Sequence, residues 1–310
     1  MEESQMKIKK LVIPATLALS MAFSFVPTMT FPATTAVAEA SAYQAPATTA
    51  VKLSKGEVTV YDFGSIKLHS YKTNDVLSDE CYLFEGKDGL VLLESTAFKE
   101  NVQELNNYMK SLKKPLQGMF LSYHSNGYNT YPAVPIYATE KALASWKENG
   151  GVATLTNNFV QAFGDTVDAN LPAKATIVKD GDTVKVAGID FKILPTPDED
   201  YSVEIPAIGV VYRHMLGSKV HNILPSIAYI DAEIADMEKY QQEGYGLILT
   251  SHYVPEGQEA VKEKLRYLRK VKELAGQSKD KADFIRQVKA NFPTYEGDNY
   301  LEMSASALFK

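Results

Sequence analysis

The stretch FKENVQELNNYMKSLKKPLQGMFLS, Phe98 to Ser122, decides the fold class. Val102, Leu105, Met109 and Leu112 recur at spacings of three and four, which puts one apolar stripe on a helix. Ser95 or Thr96 stands where a cap is expected, and Pro115 stops the helix. The chain then returns as QGMFLS, an apolar run of strand length. Upstream, EVTVYDF, IKLHSYK, CYLFEG and LVLLES follow one another across Gly- or Asp-containing turns, the grammar of an antiparallel meander. Downstream, YATEKALASWKENGG and VATLTNNFVQAFG read as helices with glycine stops. TIVKDGDTVKVAGIDFKILPTP alternates like a hairpin sequence, with turns at Lys179–Asp182 and Ala187-Gly188. IGVVYRH reads as a strand, DAEIADMEKYQQEG as a helix ended by Gly244, and GLILTSH as a further strand. The remainder is helical, with Val261, Leu265, Leu268 and Ala275 on one face and its Lys and Arg on a solvated one. Strands, helix, strand, helices, then the same order again, predict an α+β chain: an αββα sandwich of two mixed sheets packed face to face with helices outside.

The ends of the chain bound its setting. Lys7, Lys9 and Lys10 precede the apolar run Leu11 to Phe25, and Ala36-Val37-Ala38-Glu39-Ala40 closes the segment with small residues, the pattern of a secretory signal peptide over residues 1–40. Residues 41–55 read as a low-complexity flexible leader and 56–310 as the folded domain. Cleavage after Ala38 or Ala40 leaves a secreted or periplasmic protein without a stable membrane anchor; retention of the apolar run as a tether is the alternative. The segment removed carries three Lys and three Glu, so the remaining 270 residues keep the net charge of −6, which argues against a nucleic-acid partner. Cys81 is the single cysteine, so no intramolecular disulfide forms; its alternating surroundings indicate a buried, inert thiol.

The order of segments resembles the metallo-β-lactamase superfamily over the whole mature chain. CYLFEGKDGLVLLEST is similar to that family's early hairpin, and FKENVQELNNYMKSLKKPLQGMFLS to the helix and strand that lead into its metal motif. IYATEKALASW, ATIVKDGDTVKVAGIDFKIL and PTYEGDNYLEMSASALF fall where similar sequences have matching segments. The resemblance implies a hydrolase with a dinuclear zinc or iron site built from an H-x-H-x-D-H motif, a third His, a bridging Asp and a last His. Set in register by GMFLS, the four motif positions fall on Tyr123, Ser125, Gly127 and Tyr128 of LSYHSNGYNTYP. The later segments put Thr196 at the third His, with Asp198 and Asp200 as nearby carboxylates, and His214 at the bridging Asp. His252 keeps the final ligand, and His221 is the trailing non-ligand histidine. Glu94 stands where relatives carry an aspartate beneath the site.

A single surviving imidazole cannot hold a divalent ion against water. In this register the chain reads as a secreted pseudoenzyme with a degenerate metal site and no cofactor, binding a small molecule or a partner protein through a cleft lined by Tyr and His. A slip of one residue makes His124 the second histidine and Asn126 the counterpart of the aspartate. His124, His214 and His252 then form a site for one zinc, and the chain a hydrolase of an ester, lactone, lactam or phosphoester. Strand alternation opposes the slip, which would turn every side chain of GMFLS to the other face. A third possibility is metal-free acid–base catalysis, with His252 or His214 as base and Tyr123 or Tyr128 as proton donor. Each residue also has a plainer reading. His214 and His252 can be polar groups satisfied by neighbours, Glu94 a helix-entry residue, and Tyr123, Tyr128, Tyr131 and Tyr137 fillers of the volume that ligands would occupy. His69 and His221 are expected to be structural.

Overall fold

A computed structural model describes residues 45–198, 200–214 and 217–309; the segment 1–40 expected to be a signal peptide lies outside them. The first sheet runs in chain order through β1 (Ala47–Lys52), β2 (Gly56–Asp62), β3 (Lys67–Thr73), β4 (Glu80–Glu85), β5 (Leu90–Leu93), β6 (Leu116–Phe120), β7 (Ile136–Ala138) and β8 (Thr176–Ile177). It is antiparallel as far as β5 and parallel from β5 to β8. The crossover from β5 to β6 is α1 (Lys99–Ser111), with Val102, Leu105 and Met109 buried as their spacing requires. Its cap differs from expectation. The helix starts after Phe98, whose side chain has no group to cap it, so Ser95 and Thr96 stand outside the cap position, with the Ser95 hydroxyl 3.1 Å from the Tyr131 hydroxyl.

The second sheet has the order β13 (Leu247–Leu249), β12 (Val210–Tyr212), β11 (Ser202–Ile205), β10 (Ile189–Leu194), β9 (Thr183–Val186). Its strands β12 and β13 are apolar on both faces because both are covered, whereas the edge strand β9 is largely exposed. Val210, Tyr212 and Leu249 join the core between the sheets, where the rings of Phe84, Phe120 and Phe191 meet. Val211 and Ile248 point the other way, into a second core under α4 (Ile227–Glu243), α5 (Gln258–Gln277), α6 (Lys281–Asn291) and α7 (Asp298–Leu308). Helix, sheet, sheet, helix is the αββα sandwich. Among the described residues no helix is long and apolar enough to cross a membrane.

Three local readings are corrected. Part of the leader forms β1, an edge strand whose six side chains are all exposed; the ladder to β2 holds it through backbone bonds, so no burial pattern marks it in sequence. YATEKALASW splits into β7 and the short α2 (Glu140–Ser145), which Thr139 caps by accepting the Ala142 amide. Thr176-Ile177 leaves the hairpin to pair with β7 in the first sheet.

The β9–β10 turn uses Ala187 and Gly188 at φ 52° and 81°, and Gly86 lies beneath it. A Cβ at Gly86 would sit 2.2 Å from the Ala187 carbonyl oxygen, which is backbone and cannot rotate away. Gly86→Ala is expected to destabilise the domain by about 1–3 kcal/mol, read as a lower urea midpoint at unchanged slope. An unaltered midpoint would refute the close approach.

Candidate metal centre

The residues after β6 are placed by Glu94, a fully buried carboxylate at φ 61° just beyond β5. Its backbone amide donates to the Phe120 carbonyl (2.9 Å). Its carboxylate accepts the Ser122 hydroxyl at 2.5 Å and the His124 amide at 2.6 Å. The Ser95 amide donates to the His124 carbonyl (2.7 Å) and the Trp146 indole to the Ser122 carbonyl (2.8 Å). Five hydrogen bonds thus fix the loop that presents His124.

The other two histidines come from the second sheet. Strands β12 and β13 are parallel with Tyr212 opposite Leu249, so the residues just beyond them emerge side by side. Arg213 donates its amide to Leu249, and the Ser251 amide donates to His214. The Arg213 guanidinium turns back to Glu233 and Asp236 of α4, locking the strand end that carries His214. Tyr82 of β4 ties the sheets together here, with its hydroxyl donating to the Thr250 carbonyl at 2.5 Å.

One ring nitrogen from each of His124, His214 and His252 lies within 4.8 Å of the other two. The closest pair, His124 Nε2 and His214 Nε2, are 3.1 Å apart. Tetrahedral zinc with bonds of about 2.0–2.1 Å separates its ligands by roughly 3.3 Å. Behind the trio sits Asp79, which is wholly buried. Its Oδ2 accepts the Ala97 amide at 3.2 Å. Its Oδ1 makes no hydrogen bond and stands 3.6 Å from Nδ1 of both His124 and His252.

The charges are coupled. Burial alone would depress the His124 imidazole, but the Asp79 and Glu94 carboxylates outweigh it and raise its pKa. Burial would raise Asp79, and the imidazoles of His124 and His252 outweigh that, leaving it below the usual carboxylate range. His214 is held well below the ordinary histidine value by burial and then by the two neighbouring imidazoles and Arg213. His252 is drawn down to about 4 by burial and by His124. Burial pushes Glu94 up to about 7.

Of the other candidates, Tyr123 lies flat on the His214 ring, with centroids 4.4 Å apart and an interplanar angle of 22°. Ser125 is buried and its hydroxyl has no hydrogen-bond partner. Gly127, at φ 65°, closes against Val102 of α1 and Asp168. Tyr128 opens a 3-10 turn and packs against the first core. The Thr196 hydroxyl lies 2.7 Å from both Asp198 Oδ1 and the Asp200 carbonyl, closing a local turn. The Asp200 carboxylate faces Ser122 and Glu94, and burial raises it far above its ordinary value. His69 and His221 are engaged by Tyr108 and Tyr267 respectively, as structural residues are.

The trio that converges is the one named for the slipped register. The β5–β6 ladder carries an irregularity, with Leu90 paired to Leu116 but Val91 to Gly118, so Gln117 is left without a partner in β5. Asp79 was not legible. It follows a turn and stands two positions before CYLFEG, and only the fold brings it under two histidines.

No family model matches the sequence, and no curated protein matches it. Solved structures do. A beta-lactamase domain protein from Burkholderia ambifaria superposes with a TM-score of 0.55 at 13% identity, covering 80% of this chain and 85% of that one. A metallo-beta-lactamase family protein from Thermus thermophilus gives 0.55 at 14%, over 79% and 91%. The stereoselective inverting sec-alkylsulfatase of a Pseudomonas species gives 0.52 at 16%; the match covers 80% of this chain and 49% of that one. With the two-sheet architecture and the loops that converge beyond β6, β12 and β13, these likenesses identify the fold of this chain as that of the metallo-β-lactamases.

Proposed function

We propose that this protein is an exported hydrolase that works with one divalent metal ion, zinc in the first instance, on His124, His214 and His252. The observation that carries the reading is the approach of three imidazole nitrogens to within 4.8 Å of one another. Three imidazoles are a fitting donor set for zinc. Such an ion supplies Lewis acidity toward an ester, lactone, lactam or phosphoester oxygen and makes hydroxide available near neutral pH. The chain's own contribution is placement. Glu94 holds the His124 backbone, Arg213 anchors the strand end before His214, and Tyr123 supports the His214 ring. All three residues are half-buried, and the His252 side chain is 25% exposed, which gives the trio a side open to solvent.

A second reading is a binding protein without turnover. It is favoured by the ligand count: among the described residues the three histidines are the one group of His, Cys, Asp and Glu spaced to hold an ion, and no companion set for a second metal accompanies them. The same cleft would then take a small molecule or a partner protein. Zinc titration of the mature protein, purified without chelator, separates the readings. One equivalent per chain is expected, with zinc-dependent hydrolysis in a panel of the four substrate classes. Two tightly held ions would contradict both readings, and zinc-independent binding without turnover would favour the second.

Export rests on the residue pattern of the first 40 positions. N-terminal sequencing of the extracellular product is expected to begin near Glu39 or Ser41; recovery of Met1 would mean that the segment stays attached.

A further inference from the structure

We infer that Asp79 is a positioning residue that sets the metal affinity of the site by holding the Nδ1–H groups of His124 and His252 on one carboxylate oxygen; the inference rests on the one-metal reading above. Asp79 immediately precedes β4 and is 0% exposed. Water does not reach its carboxylate, so its charge needs a protein partner. Oδ2 has one, the Ala97 amide. Oδ1 has none within hydrogen-bond distance, yet it stands 3.6 Å from two imidazole Nδ1 atoms that belong to different sheets. A buried carboxylate oxygen left unsatisfied but centred between two potential donors marks an interaction that closes by a few tenths of an ångström when the rings are drawn to a common point.

The arrangement fixes the chemistry of each ring. An imidazole that donates Nδ1–H to a carboxylate has its lone pair on Nε2, and the carboxylate makes that nitrogen a better ligand. In His124 it is Nε2 that faces His214. Asp79 thus selects this tautomer in His124 and, with the Leu77 backbone also against its ring, the same is inferred for His252, whereas His214 is oriented by stacking on Tyr123. The backbone frame around the carboxylate is rigid. The amide of the adjacent Glu80 donates to the Ser251 carbonyl at 2.7 Å, next to His252, and the Ala97 amide holds the other oxygen. Asp79 is therefore clamped between the strand that starts just after it and the loop that ends in His252. Its negative charge also offsets part of an ion's charge in a buried place.

The test is zinc affinity of the full mature protein by calorimetry, with cobalt substituted for zinc to read ligand geometry from its visible spectrum. Asp79→Asn removes the charge and scrambles the acceptor; Asp79→Glu keeps the charge and moves it by one methylene. If Asp79 positions the rings, both variants bind zinc about 10–100-fold more weakly and both change the cobalt spectrum. If only its charge mattered, Asp79→Glu would retain wild-type affinity and spectrum, and the positioning role is overturned. Equal affinity in all three proteins overturns it as well. Absence of zinc binding by the wild type would instead sink the one-metal reading. Because a variant at a buried site can fail to fold, nitrogen-15 spectra of the zinc-bound wild type provide an independent measurement. The proton is expected on Nδ1 of His124 and His252; finding it on Nε2 of either ring overturns the inference.

Discussion

His252→Ala is expected to remove zinc uptake at micromolar concentrations and, with it, any metal-dependent turnover, while the protein stays folded. Two imidazoles remain, and a pair of them does not hold a divalent ion against water and competing ligands. The loss is expected to exceed the roughly 10–100-fold typical of removing a group that only supports a ligand. Folding is spared because His252 stands in a loop beyond β13 with its side chain 25% exposed, and its charged contact is to Asp79 alone. Calorimetric titration and circular dichroism of the same sample check both halves. Zinc bound at wild-type affinity by the variant would show that the three rings are not the ligand set.

Arg213→Met is expected to cost about 3–5 kcal/mol of stability. Its guanidinium is 5% exposed and is shared by Glu233, itself 4% exposed, and Asp236. Methionine fills much of the volume but leaves the Glu233 carboxylate buried without a cation, and burial already drives that carboxyl upward even with Arg213 present. Adding Glu233→Gln to Arg213→Met should restore a large part of the loss, because the charge that needs compensation is gone. Urea denaturation of the single and double variants gives the coupling energy. A single variant within about 0.5 kcal/mol of wild type would mean that the triad contributes nothing net.

The two-sheet fold was legible because its helices bury one face and its central strands are apolar runs of strand length. In α1, Val102, Leu105 and Met109 repeat at helical spacing and all end up buried. IGVVYRH and GLILTSH read as strands, and β12 and β13 are covered on both sides in the fold. What sequence did not show lacks such a signature. Strand β1 buries no side chain, so its existence depends on backbone pairing with β2. Strands β7 and β8 span three and two residues, too short for a period to register. The site was half legible for a related reason. His214 and His252 follow apolar strands directly, and their register could be counted along them. His124 stands in a loop past the end of β6 whose course is set by hydrogen bonds to Glu94, Ser95 and Trp146, which counting along an apolar run cannot reveal. Asp79 is 45 residues from His124 in sequence and is linked to it by space alone.

The origin of the three rings has a thermodynamic corollary. His124 hangs from the end of β6 in one sheet, whereas His214 and His252 hang from β12 and β13 in the other. Whatever engages all three at once stitches the two halves of the sandwich together and cannot stay bound once they part. Ligand occupancy and global unfolding are then a single equilibrium. At a free ligand concentration 100 times its dissociation constant the folded state gains about 2.7 kcal/mol, so the melting temperature of this chain becomes a gauge of ligand concentration.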